Sequence, residues 1–363
     1  MQWNVAAGWH WGLGILGSWA VVWLAGPWVL DSILLRVPDL ALGIATLQPD
    51  NVVRWRSEGW GKTSIGPHGL PGWQPRQTAQ RVILWGDSQV EGLCVDDPHK
   101  ISNQVIAIAD HPSLQPLDCL SLGRSGADAR EWRALMEAAD ALWQPALHVW
   151  VVTELSDLTV LAPAIGDQVQ QRHVEPSPDW IKLAALLRAE AMFTAAKRVL
   201  RDPDSGGLRR LDFCLGPRTP RQQGESAGQA DAWSGGERGA ELAETIVAAI
   251  SELATRFPKR LMIVYAPGTP TLARPLATSH PDDALFDQVH HKLQTAGIEV
   301  VDLRSEFIEL WQTQRRLPRG FHNGLPGSGH LNADGNRIIA QAIVSIVQPR
   351  LSHASAVVET ASR

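Results

Sequence analysis

The sequence predicts an α/β protein with a central five-stranded parallel sheet, preceded by one N-terminal transmembrane helix. Five short apolar runs alternate with segments of helical periodicity, which is the pattern of a parallel sheet covered by helices on both faces. Residues 1–30 contain no Asp, Glu, Lys or Arg, a composition typical of a bilayer-spanning segment. These patterns divide the chain into a membrane anchor (1–35), a connector (36–78), a main domain (79–350) and a flexible tail (351–363).

The composition argues against an unfolded chain and against a nucleic-acid partner. Of the 363 residues, 44% are hydrophobic and 20% are charged, and the formal net charge is -5. A chain of this kind has enough apolar surface to fold and lacks the basic excess that binds polyanions. The three cysteines, Cys94, Cys119 and Cys214, form no CxxC pair, so they allow at most one disulfide and argue against a structural zinc site.

The anchor is predicted from the stretch Trp11 to Leu30, which has the length and apolarity to cross a bilayer once. Trp3, Trp9 and Trp11 at its start and Trp28 near its far end resemble an interfacial aromatic belt. A cleaved signal peptide would require a basic segment at its start, which is missing here. A buried core helix is the alternative.

The main domain follows a connector that is rich in glycine and proline between Ile65 and Pro75. We expect its strands at 81–85, 117–122, 147–152, 261–265 and 298–303, because these runs are apolar and short. We expect helices at 101–109, 128–143, 242–253 and 336–347 from the spacing of their apolar residues. The alternation breaks at 163–239, which we interpret as an insertion that holds a helix over 180–200 and either shapes a substrate site or is tolerated surface.

A serine directly follows the first predicted strand, in the sequence Gly86-Asp87-Ser88. A serine hydroxyl becomes a nucleophile when a base takes its proton, and a strand-to-helix turn can present that hydroxyl at the carboxyl edge of a sheet. An ordinary turn in which Ser88 caps the helix is the alternative. The position at the strand end favours Ser88 as a candidate nucleophile.

Two later segments could supply hydrogen-bond donors to an oxyanion. Gly126 lies in the sequence GRSGAD after the second strand, where glycine lets backbone N–H groups approach a substrate closely. Ser156 lies in TELSDL after the third strand, and its hydroxyl could donate one hydrogen bond. A plain turn at Gly126 and a capping serine at Ser156 are the alternatives.

His330 is the candidate general base among the twelve histidines. It lies in GSGHLNADGN, immediately before the last predicted helix, where it could face Ser88 across the top of the sheet. Imidazole is the natural general base near neutral pH. A structural histidine is the alternative.

The order and spacing of these four segments resemble the sequence blocks of the SGNH/GDSL hydrolase family, over about residues 65–347. Ser88 matches the nucleophile of that family, Gly126 the oxyanion glycine and His330 the base. Asp157 matches the acidic half of an Asn-Asp pair, and Ser156 occupies the place of the asparagine.

Asp87, within the first block, is expected to support the site together with Asp157. The sequence departs from the family at Gly327, where an Asp often stands three residues before the histidine. The group that orients His330 therefore stays open, between a backbone carbonyl, Ser328 and Asp302.

The resemblance implies a three-layer α/β/α sandwich of flavodoxin-like type and a covalent Ser-His mechanism that requires no metal or organic cofactor. It implies a serine esterase or deacylase that cleaves an O-acyl ester, in the first place an O-acetyl ester, of a carbohydrate or lipid. An O-acyltransferase that modifies cell-envelope polysaccharide and a non-catalytic binding protein with this fold are the alternatives. Membrane-anchored members of the family place the catalytic domain outside the cytoplasm, and we expect the same here.

Overall fold

The structure is a computed structural model that describes residues 5–77, 80–162, 175–186, 236–268, 282–324 and 326–361. It begins with helix α1 (Val5–Val29). Within the described residues no helix combines the length and apolarity that a membrane crossing requires, so the predicted transmembrane helix and membrane partner are not supported. Glycine and tryptophan make up ten of the 25 residues of α1, and they lower its apolar character because glycine adds no side chain and indole carries a polar N–H.

The connector region carries two small antiparallel sheets. Their strands pair in sequence order, β1 with β2 and β3 with β4, and their bounds are Arg36–Asp39, Ile44–Leu47, Val52–Arg54 and Lys62–Ser64. Leu47, Val53 and Ile65 form a small hydrophobic core with Leu93 of the main domain. The loop between β3 and β4 is thereby held against the main domain.

The main domain contains the predicted five-stranded parallel sheet. Its strands are β5 (Gln80–Gly86), β6 (Leu117–Gly123), β7 (Leu147–Val152), β8 (Leu261–Tyr265) and β9 (Glu299–Asp302). They lie in the order β6-β5-β7-β8-β9 and all pair in parallel. The chain order reverses between β5 and β7, and in open α/β sheets ligands bind at the carboxyl ends of the strands that flank such a point.

Helices connect these strands and follow the last one. In chain order they are α2 (Ser88–Glu91), α3 (Ile101–Ala109), α4 (Ala129–Trp143), α5 (Ser156–Thr159), α6 (Asp179–Leu186), α7 (Gly236–Arg256), α8 (Asp283–Thr295), α9 (Arg304–Gln314) and α10 (Ala333–Ala361).

Each of the four helices predicted for the main domain is present. Of the helix expected at 180–200, the structure describes the part up to Leu186, as α6. The rest of that range lies outside the described residues, as do most of the insertion and Cys214. Helix α10 continues through 351–361, where we expected a flexible tail. That stretch contains neither glycine nor proline, so nothing in it interrupts a helix.

The strands bury side chains on both faces of the sheet. Ile83, Trp85 and Trp150 belong to one core, which is shared with α4, α7 and α8. Val82 and Leu84 belong to a second core, which is shared with α3, α9 and α10. Each fully buried large apolar side chain contributes about 1.5–3 kcal/mol. The predicted three-layer arrangement follows from these two cores.

His148 on β7 is a polar residue that lies fully buried beside the first core. Trp85 Nε1 donates a hydrogen bond to His148 Nδ1 at 3.2 Å. Because indole N–H is only a donor, Nδ1 is the acceptor, and the ring proton lies on Nε2, 3.3 Å from Asp140 Oδ1. Burial lowers the pKa of His148 to about 4, although Asp140 acts in the opposite direction.

We expect the free energy of unfolding to fall as the pH is lowered from about 6.5 to about 4. An unfolded histidine has a pKa of about 6.5, so in this window the unfolded chain binds a proton that folded His148 excludes. The loss is about 3 kcal/mol across the window. Urea unfolding measured at several pH values would detect it. The variant His148→Asn should show a flatter dependence, and an unchanged slope in that variant would contradict the assignment.

Candidate active site

Ser88 lies at the carboxyl edge of the main sheet, in the turn between β5 and α2. Gly86 ends β5, and a side chain at this position would overlap Val90 of α2. Asp87 is the N-cap of α2, since its Oδ1 accepts a hydrogen bond from the Gln89 N–H at 2.9 Å. The glycine and the aspartate thus allow α2 to begin immediately after the strand, with Ser88 as its first residue.

The structure brings His330 to Ser88. His330 Nε2 lies 3.0 Å from Ser88 Oγ, although the two residues are 242 positions apart in the sequence. The adjacent Leu331 N–H donates a hydrogen bond to Gln89 Oε1 at 2.7 Å, which ties the loop of His330 to α2. This is the geometry of a nucleophile and its base.

The other ring nitrogen of His330 contacts Glu58, a residue of the loop between β3 and β4. Glu58 Oε2 lies 2.5 Å from His330 Nδ1, and Glu58 Oε1 accepts a hydrogen bond from the His330 backbone N–H at 2.7 Å. Both oxygens of one carboxylate therefore hold the same histidine. A carboxylate on Nδ1 fixes the tautomer in which Nε2 is free to accept a proton.

Contacts from two distant parts of the chain hold the loop of Glu58. Asp31, which follows α1, accepts a hydrogen bond from the Arg56 N–H at 2.5 Å. Asn323, in the loop before His330, accepts a hydrogen bond from the Gly59 N–H at 2.9 Å and donates one to Gly59 O at 3.1 Å. The position of Glu58 thus depends on residues before β1 and after α9.

Gly329 allows the carboxylate of Glu58 to approach the backbone of His330. Its φ is +80°, and a side chain at this position would overlap Glu58 Oε1. Its carbonyl oxygen accepts a hydrogen bond from Arg319 Nη1 at 3.1 Å, and Arg319 Nη2 donates to Ala266 O at 2.9 Å. Arg319 is buried, so it links the histidine loop to the residue that follows β8.

The surroundings of His330 favour its protonated form. Burial by itself lowers the pKa of His330, but hydrogen bonds and charge interactions with Cys94 and Glu58 raise it above its usual value. A site of this kind stabilises an imidazolium at position 330.

Gly126 lies in the turn between β6 and α4, with a φ of +78°. The preceding Ser125 bonds to Glu91 through its hydroxyl and through its N–H, which lies 3.0 Å from Glu91 Oε2. Glu91 belongs to α2, so this turn is held beside the helix that begins at Ser88. No described residue accepts a hydrogen bond from the N–H of Gly126 or of Ser88.

A threonine that the sequence analysis did not select lies closer to the strand end than Ser156. Trp85 of β5 pairs in parallel with Trp150 of β7, and Thr153 directly follows Val152, the last residue of β7, so Thr153 lies at the same carboxyl edge of the sheet as Ser88. Thr153 is buried, and its hydroxyl oxygen has no hydrogen-bond partner among the described residues. Ser156, in contrast, opens α5 and is exposed.

The two acids predicted to support the site, Asp87 and Asp157, interact with each other. Burial raises the pKa of Asp157, and the negative charges of Asp87 and Glu154 raise it further. Burial also raises the pKa of Asp87. The buried guanidinium of Arg319 is attracted to Asp87 and Glu154. These four side chains form one cluster next to the start of α2.

The carboxylate on His330 is Glu58 and not Asp302, which was one of the partners that the sequence left open. Asp302 instead bonds to Arg304, whose Nη2 lies 2.6 Å from Asp302 Oδ2. Sequence reasoning missed Glu58 because it lies 272 positions from His330 and belongs to no recognisable motif. The sequence offered one weak signal for Glu58: it is the one glutamate of the predicted connector, residues 36–78.

No protein-family model and no curated protein matches this chain. Solved structures that are similar to it include a lipase/acylhydrolase from Enterococcus faecalis, 10% identical with a TM-score of 0.40, in a match that covers 75% of this chain and 96% of that one. An acetyl xylan esterase, AlAXEase, is 14% identical with a TM-score of 0.37 and coverage of 74% and 99%. A member of the lipolytic protein G-D-S-L family from Veillonella parvula is 12% identical with a TM-score of 0.37 and coverage of 74% and 98%.

We expect Gly329→Ala to break the contact between Glu58 and His330, because the added methyl group would occupy the place of Glu58 Oε1. The short Nδ1 hydrogen bond should give a proton resonance far downfield of the amides in the wild-type NMR spectrum, and the variant should lose it. Gly297→Ala is the matched control, since Gly297 also has a positive φ, +75°, but has open space around it. Retention of the resonance in Gly329→Ala would refute the contact.

Proposed function

We propose that this chain is a serine ester hydrolase that acts through Ser88, His330 and Glu58. Two consecutive hydrogen-bond contacts carry the proposal: Ser88 Oγ lies 3.0 Å from His330 Nε2, and His330 Nδ1 lies 2.5 Å from Glu58 Oε2. When a carboxylate contacts an imidazole and the imidazole contacts a hydroxyl, the imidazole can take the hydroxyl proton, which activates the hydroxyl as a nucleophile. The position of Ser88 at the carboxyl edge of the sheet, where substrates reach α/β proteins, supports the same function.

The reaction begins when His330 Nε2 takes the proton of Ser88 and Oγ attacks the carbonyl carbon of the ester. His330 then gives that proton to the departing alkoxide, which leaves as an alcohol, and the acyl group stays on Ser88. A water molecule gives a proton to His330 and attacks the acyl carbon. The acid leaves, and His330 returns the proton to Ser88.

The negative oxygen of each tetrahedral intermediate requires donors beside Ser88. The backbone N–H groups of Ser88 and Gly126 are candidates because no described residue accepts a hydrogen bond from them. The buried hydroxyl of Thr153, which has no partner among the described residues, is a third candidate because Thr153 directly follows β7, the neighbour of β5 in the sheet. Ser156 remains the donor that the sequence predicted, and its exposure makes Thr153 the stronger candidate of the two.

We favour an O-acylated carbohydrate, in the first place an O-acetylated one, over a lipid as the substrate. Trp60 lies two residues after Glu58, and its side chain is 52% exposed. The guanidinium of Arg56 lies 5.3 Å from the centre of its indole. An exposed indole next to the site offers an amphipathic surface on which a sugar ring can stack. An extracytoplasmic location remains a prediction from the sequence.

Hydrolysis of p-nitrophenyl acetate and longer acyl esters by the full chain tests this function. Ser88→Ala and His330→Ala should each lower kcat by about 10⁴-fold or more, and Glu58→Gln by about 10²–10⁴-fold, because each removes one member of the proton relay. Asp302→Asn is the control and should keep the wild-type rate. A folded wild type without activity, or with activity that Ser88→Ala retains, would refute the proposal.

A product analysis in the presence of sugar alcohols separates hydrolysis from acyl transfer. Free acid as the main product supports the esterase. Acylated sugar as the main product would instead indicate the O-acyltransferase. A preference for acetyl over longer esters would separate carbohydrate deacetylation from lipid hydrolysis.

We expect Thr153→Val to lower kcat by about 100-fold, because it removes one oxyanion donor while preserving the shape of the side chain. KM for p-nitrophenyl acetate should change little, since the donor acts mainly on the intermediate. Ser156→Ala is the matched comparison and should have a much smaller effect. The reverse order of the two effects would assign the donor to Ser156.

A further inference from the structure

Cys94 lies beside the Glu58–His330 pair, and the proposed esterase mechanism does not use it. The sulfur of Cys94, one ring nitrogen of His330 and one carboxylate oxygen of Glu58 all lie within 4.8 Å of one another. Cys94 is 4% exposed, whereas the side chains of His330 and Glu58 are 26% and 22% exposed. The three groups thus form a cluster that is closed on the sulfur side and reachable from solvent on the other.

We propose that Glu58, Cys94 and His330 form a binding site for a thiophilic divalent cation, Zn²⁺ or Cd²⁺. Thiolate, imidazole and carboxylate are the ligands that zinc takes in proteins, at bond lengths of about 2.0–2.3 Å. In a tetrahedral site such bonds place the ligand atoms about 3.3–3.8 Å apart. The three ligand atoms, all within 4.8 Å of one another, lie near that spacing, and the partial exposure of His330 and Glu58 leaves solvent within reach as a fourth ligand.

Close backbone contacts hold the segment of Glu58 against the segment of Cys94. A side chain on Gly59 would overlap Cys94 O, and one on Gly61 would overlap Leu93 O. The loop that carries Glu58 therefore lies in direct backbone contact with the segment that carries Cys94. A site whose ligands are already in place loses little conformational entropy when it binds a metal.

Metal binding at this cluster would stop the proposed catalysis. The Cys94 thiol releases its proton to the solvent as the metal–sulfur bond forms. If the metal takes His330 Nδ1, the single proton of the neutral ring lies on Nε2, which then cannot accept the proton of Ser88. If the metal takes Nε2, the base is blocked directly. The inhibition rests on the proposed esterase function, whereas the binding does not.

Titration of the full chain with Cd²⁺ tests the site through the ultraviolet charge-transfer band of a cadmium–thiolate bond. The wild type should develop this band with one equivalent of metal, and Cys94→Ala should lose it with a rise in Kd of about 100-fold or more. Cys119→Ala and Cys214→Ala are the matched controls and should keep the band. Circular dichroism verifies folding, and Cys94→Ser replaces Cys94→Ala if the alanine variant does not fold.

Ser88→Ala separates this proposal from the proposed function. It should bind Cd²⁺ as the wild type does, although it lacks esterase activity. In the wild type, Zn²⁺ should inhibit hydrolysis of p-nitrophenyl acetate reversibly, and EDTA should restore the rate. No band in the wild type, or an unchanged band and Kd in the folded Cys94 variant, would overturn the metal site whatever the outcome for the esterase.

Discussion

The contact between Glu58 and His330 joins the beginning and the end of the chain at the carboxyl edge of the sheet. The carboxylate of Glu58 contacts both the backbone N–H and Nδ1 of His330. The orientation of the imidazole, with Nε2 toward Ser88, therefore depends on Glu58. Asp31 and Asn323 hold the loop of Glu58, and Gly329 leaves the space that the carboxylate needs. The N-terminal segment is therefore part of the site, because its folding supplies the group that orients the proposed base.

The buried polar groups of the protein differ in whether they have hydrogen-bond partners. His148 has partners on both ring nitrogens, whereas the indole N–H groups of Trp132 and Trp150 in the same core have none among the described residues. At the edge, the Thr153 hydroxyl and Asp157 Oδ2 are buried without a partner among the described residues, and burial raises the pKa of Asp157 and of Asp87. Each such group costs stability, which favourable packing elsewhere in the fold offsets.

The chemistry that makes His330 a strong base also makes its surroundings suitable for a soft metal ion. A carboxylate and a thiol beside the imidazole raise the pKa of His330, and the same three groups are zinc ligands. Proton transfer and metal binding then compete for one ring, because a nitrogen lone pair serves a single partner at a time. The site thus links the proposed hydrolysis to the metal content of its surroundings.

The sequence by itself determined the five-stranded parallel sheet, the helices that cover it and the approach of Ser88 to His330. These features depend on local apolar periodicity and on motifs at strand ends, which are readable along the chain. Only the tertiary structure decided that Glu58 contacts His330, that Thr153 is buried with an unpartnered hydroxyl and that Cys94 lies beside the Glu58–His330 pair. Each of these depends on contacts between segments far apart in sequence, and no local pattern records them because a side chain's partner is set by packing. The uncharged N-terminus predicted a membrane span, but among the described residues no helix combines the length and apolarity of one. Absence of charge can be read along the chain, whereas the glycines and tryptophans of α1 lower its apolar character.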